Sequence, residues 1–315
     1  MALALAAPVV ALGDTVFSDT FGSGSTINGT PTAPTVNSAA YQNWAQGANP
    51  ANYSIASGAL HFEARNTSSV FAEVQAQFAS TPVTLTTAGD YINLTLVFTD
   101  TLNVLLSGQN ASSQVDIGLY NSGGVLPLTG SRLDTTSAIS GGTAGWTGYI
   151  GRLFLNGNAN VITRPAQLGA MVNTNQDLLF NNAGSGAFKD PSATQIGVTT
   201  ATGFTSGLTQ GSQYTLNYKL TLTSATTMDI TESLFDSGNN LLATQTATAS
   251  GATLLTTSLD GLAFGWRRTA TAAASSVDVN SILVTDYIQA VPEPSSTMLF
   301  CGGIGLLTLV RRFRR

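Results

Sequence analysis

The stretch YTLNYKLTLTSATTMDITESLFDSGNNLLATQTAT, Tyr214–Thr248, decides the fold. Three segments read as strands, Tyr214–Thr223, Met228–Phe235 and Leu241–Thr248, because polar and apolar residues alternate along each of them. Their Thr-rich alternation, as in Thr221-Leu222-Thr223, suits a sheet with one wet and one buried face. Asp236-Ser-Gly-Asn-Asn240 is a turn signal between the second and third, so the three form a meander.

The same period extends over the rest of the chain. Tyr53–Phe62, Val70–Phe78, Tyr91–Phe98, Val115–Tyr120, Gly145–Leu155, Gly261–Trp266 and Val277–Tyr287 all read as strands, with turn signals at Asn121–Gly124 and Asn156-Gly157. Ten or more strands without alternating helices predict an all-β, antiparallel two-sheet sandwich over residues 14–290. Residues 158–212 are the least regular and predict a long loop excursion carrying one or two short strands within that single domain.

Composition narrows the function. Charged residues make up 9 % of the chain, against about a quarter in an average domain, while the hydrophobic fraction of 43 % leaves ample surface to bury. The surface is therefore polar but sparsely charged. The net charge of −5 hides an asymmetry, since four of the 12 Lys and Arg are Arg311, Arg312, Arg314 and Arg315. Residues 1–291 keep 8 of the 12 basic and 16 of the 17 acidic side chains, a net charge of −8. Such a body lacks the basic stripe that nucleic acid requires. The single cysteine, Cys301, lies near the C-terminus, so no disulfide framework holds the sandwich.

The ends are of a different kind. MALALAAPVVALGD opens with an apolar run that suits the h-region of a secretory signal, with small residues for cleavage near Ala11 and Gly13. Residues 1–13 are expected to be a signal peptide whose basic start lies upstream. At the other end, VPEPSSTMLFCGGIGLLTLVRRFRR (residues 291–315) joins a Pro-Glu-Pro step to 13 uncharged residues, Met298–Val310, and an arginine cluster. A membrane helix is expected there, with Met298, Leu299, Phe300, Ile304, Leu306, Leu307, Leu309 and Val310 as its apolar body. The run is shorter than the roughly 20 residues that span a bilayer core, and the arginines would remain on the cytoplasmic side.

The order of Val291, Pro292, Glu293, Pro294 and Ser295, then an apolar helix, then Arg311, Arg312, Arg314 and Arg315, resembles the PEP-CTERM sorting signal. The resemblance covers residues 291–315. It implies recognition by an exosortase, cleavage near the Pro-Glu-Pro motif, and delivery to the surface of a Gram-negative bacterium, where such substrates are associated with exopolysaccharide and biofilm. Two prolines fit that role physically, because they hold the peptide extended and deny it helix at the membrane edge.

A second resemblance concerns the body. Phe17-Ser-Asp-Thr-Phe21, Ala59-Leu60-His61-Phe62, Ile117-Gly-Leu-Tyr-Asn121 and the closing Val277–Asp286 segment resemble concanavalin-A/laminin-G-type jelly rolls. The resemblance implies that Thr15–Phe21 and Ser281–Tyr287 are adjacent strands.

Catalytic chemistry finds little support. A Ser-His-Asp triad would need His61, which sits between Leu60 and Phe62 in a strand pattern and faces away from both, and no nucleophile elbow accompanies it. Glycoside hydrolysis needs two carboxylates about 5–9 Å apart. Glu63, Glu73 and Glu232 have no acidic neighbour at i±2 or i±4, although Glu63 and Glu73 could face one another across adjacent strands. Asp14 with Asp19, and Asp278 with Asp286, are candidate oxygen ligands for Ca2+. Trp44, in a loop-rich stretch, is the candidate glycan contact, whereas Trp146 and Trp266 fall in strands and read as core. The expectation is a non-catalytic exported surface or matrix protein, with a lectin-like carbohydrate-binding module as the alternative and a glycoside hydrolase third.

Overall fold

The computed structural model describes residues 13–22, 42–44, 52–56, 58–64, 70–102, 114–125, 145–154, 158–164, 178–179, 194–200, 208–268 and 275–289. Among these residues seventeen strands follow one another: β1 (Asp14–Asp19), β2 (Gln42–Trp44), β3 (Asn52–Ala56), β4 (Ala59–Ala64), β5 (Val70–Gln77), β6 (Val83–Thr84), β7 (Tyr91–Leu102), β8 (Gln114–Asn121) and β9 (Thr147–Phe154). Then come β10 (Asn158–Arg164), β11 (Gln195–Thr200), β12 (Gln213–Ser224), β13 (Thr227–Asp236), β14 (Leu241–Ser250), β15 (Ser258–Leu259), β16 (Gly261–Arg268) and β17 (Ser275–Tyr287).

They build the expected two-sheet antiparallel sandwich. The first sheet runs β14-β13-β12-β7-β17-β4-β3, with β1 also paired to β17. The second runs β11-β10-β9-β8-β16-β5-β2, and β15 and β6 form a small separate ribbon. The meander is β12-β13-β14, antiparallel from Tyr214↔Asp236 onward, with a register shift near one end of each ladder, at Leu222/Ser224 and Leu234/Phe235. The predicted closure also holds, since Asp14↔Asp286 through Asp19↔Ile282 pair β1 with β17. Strands β10 and β11 are the short strands expected in the irregular region.

Three readings are corrected. Tyr53–Phe62 is a hairpin and not one strand: Ile55 pairs with Leu60, and the chain reverses at Gly58, whose φ of +75° suits glycine. Glu63 and Glu73 do not face one another. Glu63 pairs with Ser276 in the first sheet and Glu73 with Gly265 in the second, because the chain crosses between sheets after β4. Trp44 closes an edge strand, β2, paired with β5.

The core is the apolar phase of both sheets. Leu94, Leu96, Phe98, Leu216, Leu220, Ile230, Ile282 and Val284 from the first meet Val74, Ile117, Leu119, Leu262, Phe264 and Trp266 from the second. Phe98 and Trp266 make an edge-on aromatic contact across the gap, ring centroids 5.9 Å apart. Trp146 and Trp266 are both buried, as their strand settings predicted.

One polar group interrupts this apolar layer. Glu232 falls in the buried phase of β13, between Ile230 and Leu234, and Gln245 falls in the buried phase of β14. The Gln245 amide donates to Glu232 Oε2 and, across the gap, to the Arg152 carbonyl at 3.2 Å. Position 151 must be glycine here, since a Cβ would stand 2.7 Å from both Glu232 Oε2 and the Tyr218 ring. Burial pushes the Glu232 carboxyl up to about 8. The Gln245 bond opposes that rise, Asp116 adds to it and Arg152 opposes it.

The pH dependence follows. Between the ordinary glutamate range and about pH 8, the folded chain holds a proton that the unfolded chain has released, so stability falls as pH rises. Glu232→Gln carries no charge at any pH and is expected to flatten that slope. Its melting temperature should match the parent near about pH 4 and exceed it increasingly toward about pH 8. Equal slopes for the two proteins would show that Glu232 titrates in the usual carboxylate range.

Candidate functional site

The two sheets present their outer faces differently. That of the second sheet is covered: Gln75, Asp116, Tyr120, Ile150 and Arg152, in the phase opposite to the core, are all buried. Leu178 and Leu179 are buried against it, their carbonyls accepting from Tyr120 Oη (3.5 Å) and Arg152 Nη2 (3.4 Å). Beneath them Arg152 grips Asp116 from two nitrogens, Nη2–Oδ2 at 2.6 Å and Nε–Oδ1 at 3.0 Å. A forked pair of this kind supplies both charge neutralisation and direction.

Cross-strand register places that pair in a row with two residues singled out from the sequence. Trp44 pairs with Glu73, Glu73 with Gly265, Gly265 with Asp116, Asp116 with Arg152, and Arg152 with Asn160. Sequence spacing could not reveal this row, since its members are contributed by six strands spread from β2 to β16. Asp116 is fully engaged by Arg152 and is 0 % exposed, which suits a structural carboxylate better than one that exchanges protons with a substrate.

The outer face of the first sheet is open. A depression of about 310 Å³ is lined by Tyr91 and Asn93 of β7, Asn217 and Lys219 of β12, Thr231, Ser233 and Phe235 of β13, and Thr285 of β17. Its floor follows directly from strand register. Thr285, Asn93, Lys219, Thr231 and Thr246 make one cross-strand row, and Thr95, Asn217, Ser233 and Thr244 the next. These are the polar-phase residues of the meander and of its neighbours. Asn93 Nδ2 donates to Thr95 Oγ1 (2.9 Å), which donates to Asn217 Oδ1 (2.8 Å).

Aromatic rings bound the depression at its ends. Tyr91 stacks on Tyr287, ring centroids 5.7 Å apart, and the Lys219 ammonium lies 3.8 Å from the Tyr91 ring centre. Phe235 stands at the other end, six residues along the strands, or about 20 Å at the usual rise. Partial burial lowers the Lys219 pKa below the ordinary lysine value.

The remaining predicted residues are dispersed. His61 is half-exposed and bonds through Nδ1 to Asp278 Oδ1 at 2.5 Å. Asp278 and Asp286 lie eight residues apart on one extended strand, too far to share an ion, while Asp286 instead pairs with Asp14 across β1 and β17. Burial raises the Asp286 pKa and the Asp14 charge adds to the rise. Asp19 accepts the Phe21 N–H at 2.7 Å. Among the described residues, no three of His, Cys, Asp and Glu gather into a metal cage. Also among these, no helix is long and apolar enough to cross a membrane; Met298–Val310, Val291–Ser295 and the terminal arginines lie outside them.

A family profile described as the PEP-CTERM protein-sorting motif matches residues 290–315, the segment in which the motif was read from sequence. No curated protein matches the chain in sequence. Among solved structures the chain is similar to the metal-free exoplasmic/lumenal domain of VIP36, at 12 % identity over 89 % of this chain and 95 % of that one, TM-score 0.45. It is similar to lectin II from Ulex europaeus, at 9 % identity over 81 % and 95 %, TM-score 0.41. A protein of unknown function from Shewanella oneidensis MR-1 is also similar, at 13 % identity over 93 % and 99 %, TM-score 0.40. At these values no ligand and no residue role passes from them to this chain. The chain therefore combines a C-terminal PEP-CTERM sorting motif with an all-β sandwich.

The covered pair is testable by stability. Asp116→Ala leaves the Arg152 guanidinium buried without its carboxylate and is expected to cost about 3–5 kcal/mol in urea unfolding. Replacing both residues together, Asp116→Leu with Arg152→Met, should recover most of that loss. A double variant no more stable than Asp116→Ala would give Asp116 a role beyond neutralising Arg152.

Proposed function

We propose that this is a non-catalytic, exported surface protein, sorted through its C-terminal motif and binding polysaccharide on the open face of its first sheet. The sorting match over residues 290–315 supports the route. The observation that carries the binding reading is the depression itself: a polar floor of Asn, Thr and Ser, closed at its ends by tyrosine and phenylalanine. Sugar rings offer hydroxyls for such a floor and C–H faces for such walls. Its length suits an oligosaccharide segment better than a single ring, which fits a protein delivered to exopolysaccharide or biofilm matrix.

The exosortase is the transient partner in this reading. It would take Val291, Pro292, Glu293, Pro294 and Ser295 as its recognition segment while the apolar run and arginines hold the chain at the membrane. The signal segment at residues 1–13 and the sandwich at 14–290 complete the arrangement. Trp44 supports a second placement of the glycan contact, at the β2 edge of the second sheet, because it pairs with Glu73 in the row that reaches Asp116.

Two measurements test these readings. Mass spectrometry of the protein recovered from an exosortase-positive host should find a C-terminus near Val291–Ser295; an intact Arg315 would refute processing. In a pull-down on host exopolysaccharide, Tyr91→Ala should weaken retention about tenfold, the loss of one good aromatic contact and its neighbours. Retention lost on Trp44→Ala but kept by Tyr91→Ala would move the site to the second sheet.

A further inference from the structure

The glycan reading leaves the Lys219 charge unassigned. The residue stands between Asn93 and Thr231 in the cross-strand row, and its ammonium lies over the Tyr91 ring at one end of the depression. Among the described residues no carboxylate lies within ion-pair distance of it. The acid in the adjoining row, Asp229, accepts a hydrogen bond from Thr248 at 2.7 Å. Asp278, at the far end of the same sheet, is taken by His61. A cation without an anion, partly withdrawn from water, is uncommon in a protein with so few charges and a net charge of −5.

Neighbouring groups define what would complete it. The Asn217 amide nitrogen donates to nothing among the described residues, while its Oδ1 accepts from Thr95. Thr285 and Thr231 add hydroxyls beside it. The Tyr91 ring holds the ammonium on its face, which costs the lysine little further ordering when an anion arrives. One fixed positive charge, flanked by neutral donors and bounded by aromatic rings, matches a carboxylate carried on a sugar ring.

We infer that the depression takes an acidic polysaccharide, with a uronate carboxylate on Lys219 and the adjacent hydroxyls on Asn93, Asn217 and Thr231. This deepens the glycan reading and rests on it. The acidic surface opposes approach of a polyanion at long range, so selectivity comes from this single close contact and not from steering.

The test uses the full chain and three probes: polygalacturonate oligomers, neutral dextran oligomers and inorganic sulfate. The parent is expected to bind the polyuronate about tenfold more tightly than dextran, the value of one charge-assisted contact. Lys219→Gln should abolish that preference, bringing polyuronate binding down to the level that the same variant shows for dextran, and Lys219→Arg should retain it. A polyuronate preference that survives in Lys219→Gln overturns the inference, as does equal displacement of the oligomer by sulfate at matched charge, which marks a plain anion site. If the parent binds neither oligomer, or if Tyr91→Ala alters neither, the glycan reading of the depression fails.

Discussion

The amide of Gln245 reaches from one sheet to the backbone of the other, and the sandwich is organised around that bond. Apolar contacts between the sheets are strong in sum but tolerate sliding, because burial is non-directional. A hydrogen bond to the Arg152 carbonyl has a direction and a length, so it selects one placement of β14 over β9. Arg152 continues the connection on the far face, where its guanidinium binds Asp116 and the Leu179 carbonyl. Glu232, Gln245, Arg152 and Asp116 thus form a polar line through the second sheet. Each member is at least 96 % buried, so the cost of leaving any one unpaired is large.

That line explains how the two outer faces acquired different characters. The second sheet carries its charged pair inside a covered layer, and the pair is neutralised there. The first sheet keeps its polar phase toward solvent. Its threonines bond one another across strands, as Thr231 with Thr246 and Ser233 with Thr244, leaving Lys219 as the charged group on the floor of the depression. The low charge fraction thus has a consequence for recognition. Where neutral hydroxyls and amides dominate a surface, a single ammonium decides the sign of the ligand that fits.

Most of the fold was legible because alternation reports burial directly. The meander follows from the period-two pattern of Tyr214–Thr248 and the buried Trp266 from that of Gly261–Trp266, whereas the β1–β17 closure comes from the resemblance carried by Phe17–Phe21 and Val277–Asp286. The hairpin at Gly58 was not, since alternation can run through a tight turn without a break in phase, leaving only the glycine as a signal. The cross-sheet line was partly legible: Glu232 occupies an apolar phase between Ile230 and Leu234, an anomaly that spacing searches along one strand pass over. Its partners are supplied by the other sheet, and the row joining Trp44, Glu73 and Asp116 likewise exists only through register. The depression escaped notice for a different reason. Asn93, Lys219 and Thr231 are unremarkable solvent-phase residues until pairing sets them side by side.

The end of β17, next in sequence to the sorting segment, is held by one buried carboxylate. Asp90 accepts the Gln289 N–H at 2.8 Å, together with those of Thr86 and Thr87, and its side chain is fully buried. Burial alone would raise its pKa, but the three backbone donors outweigh that and hold the carboxylate below its ordinary value. The last described residue is therefore clamped by an anion that stays charged across the neutral range, two positions before Val291. Proline at 292 and 294 has no N–H, so neither position can contribute a donor to a strand ladder. Tyr287, which backs the Tyr91 wall of the depression, lies two residues before Gln289, so the Asp90 clamp also fixes the strand end that carries this wall.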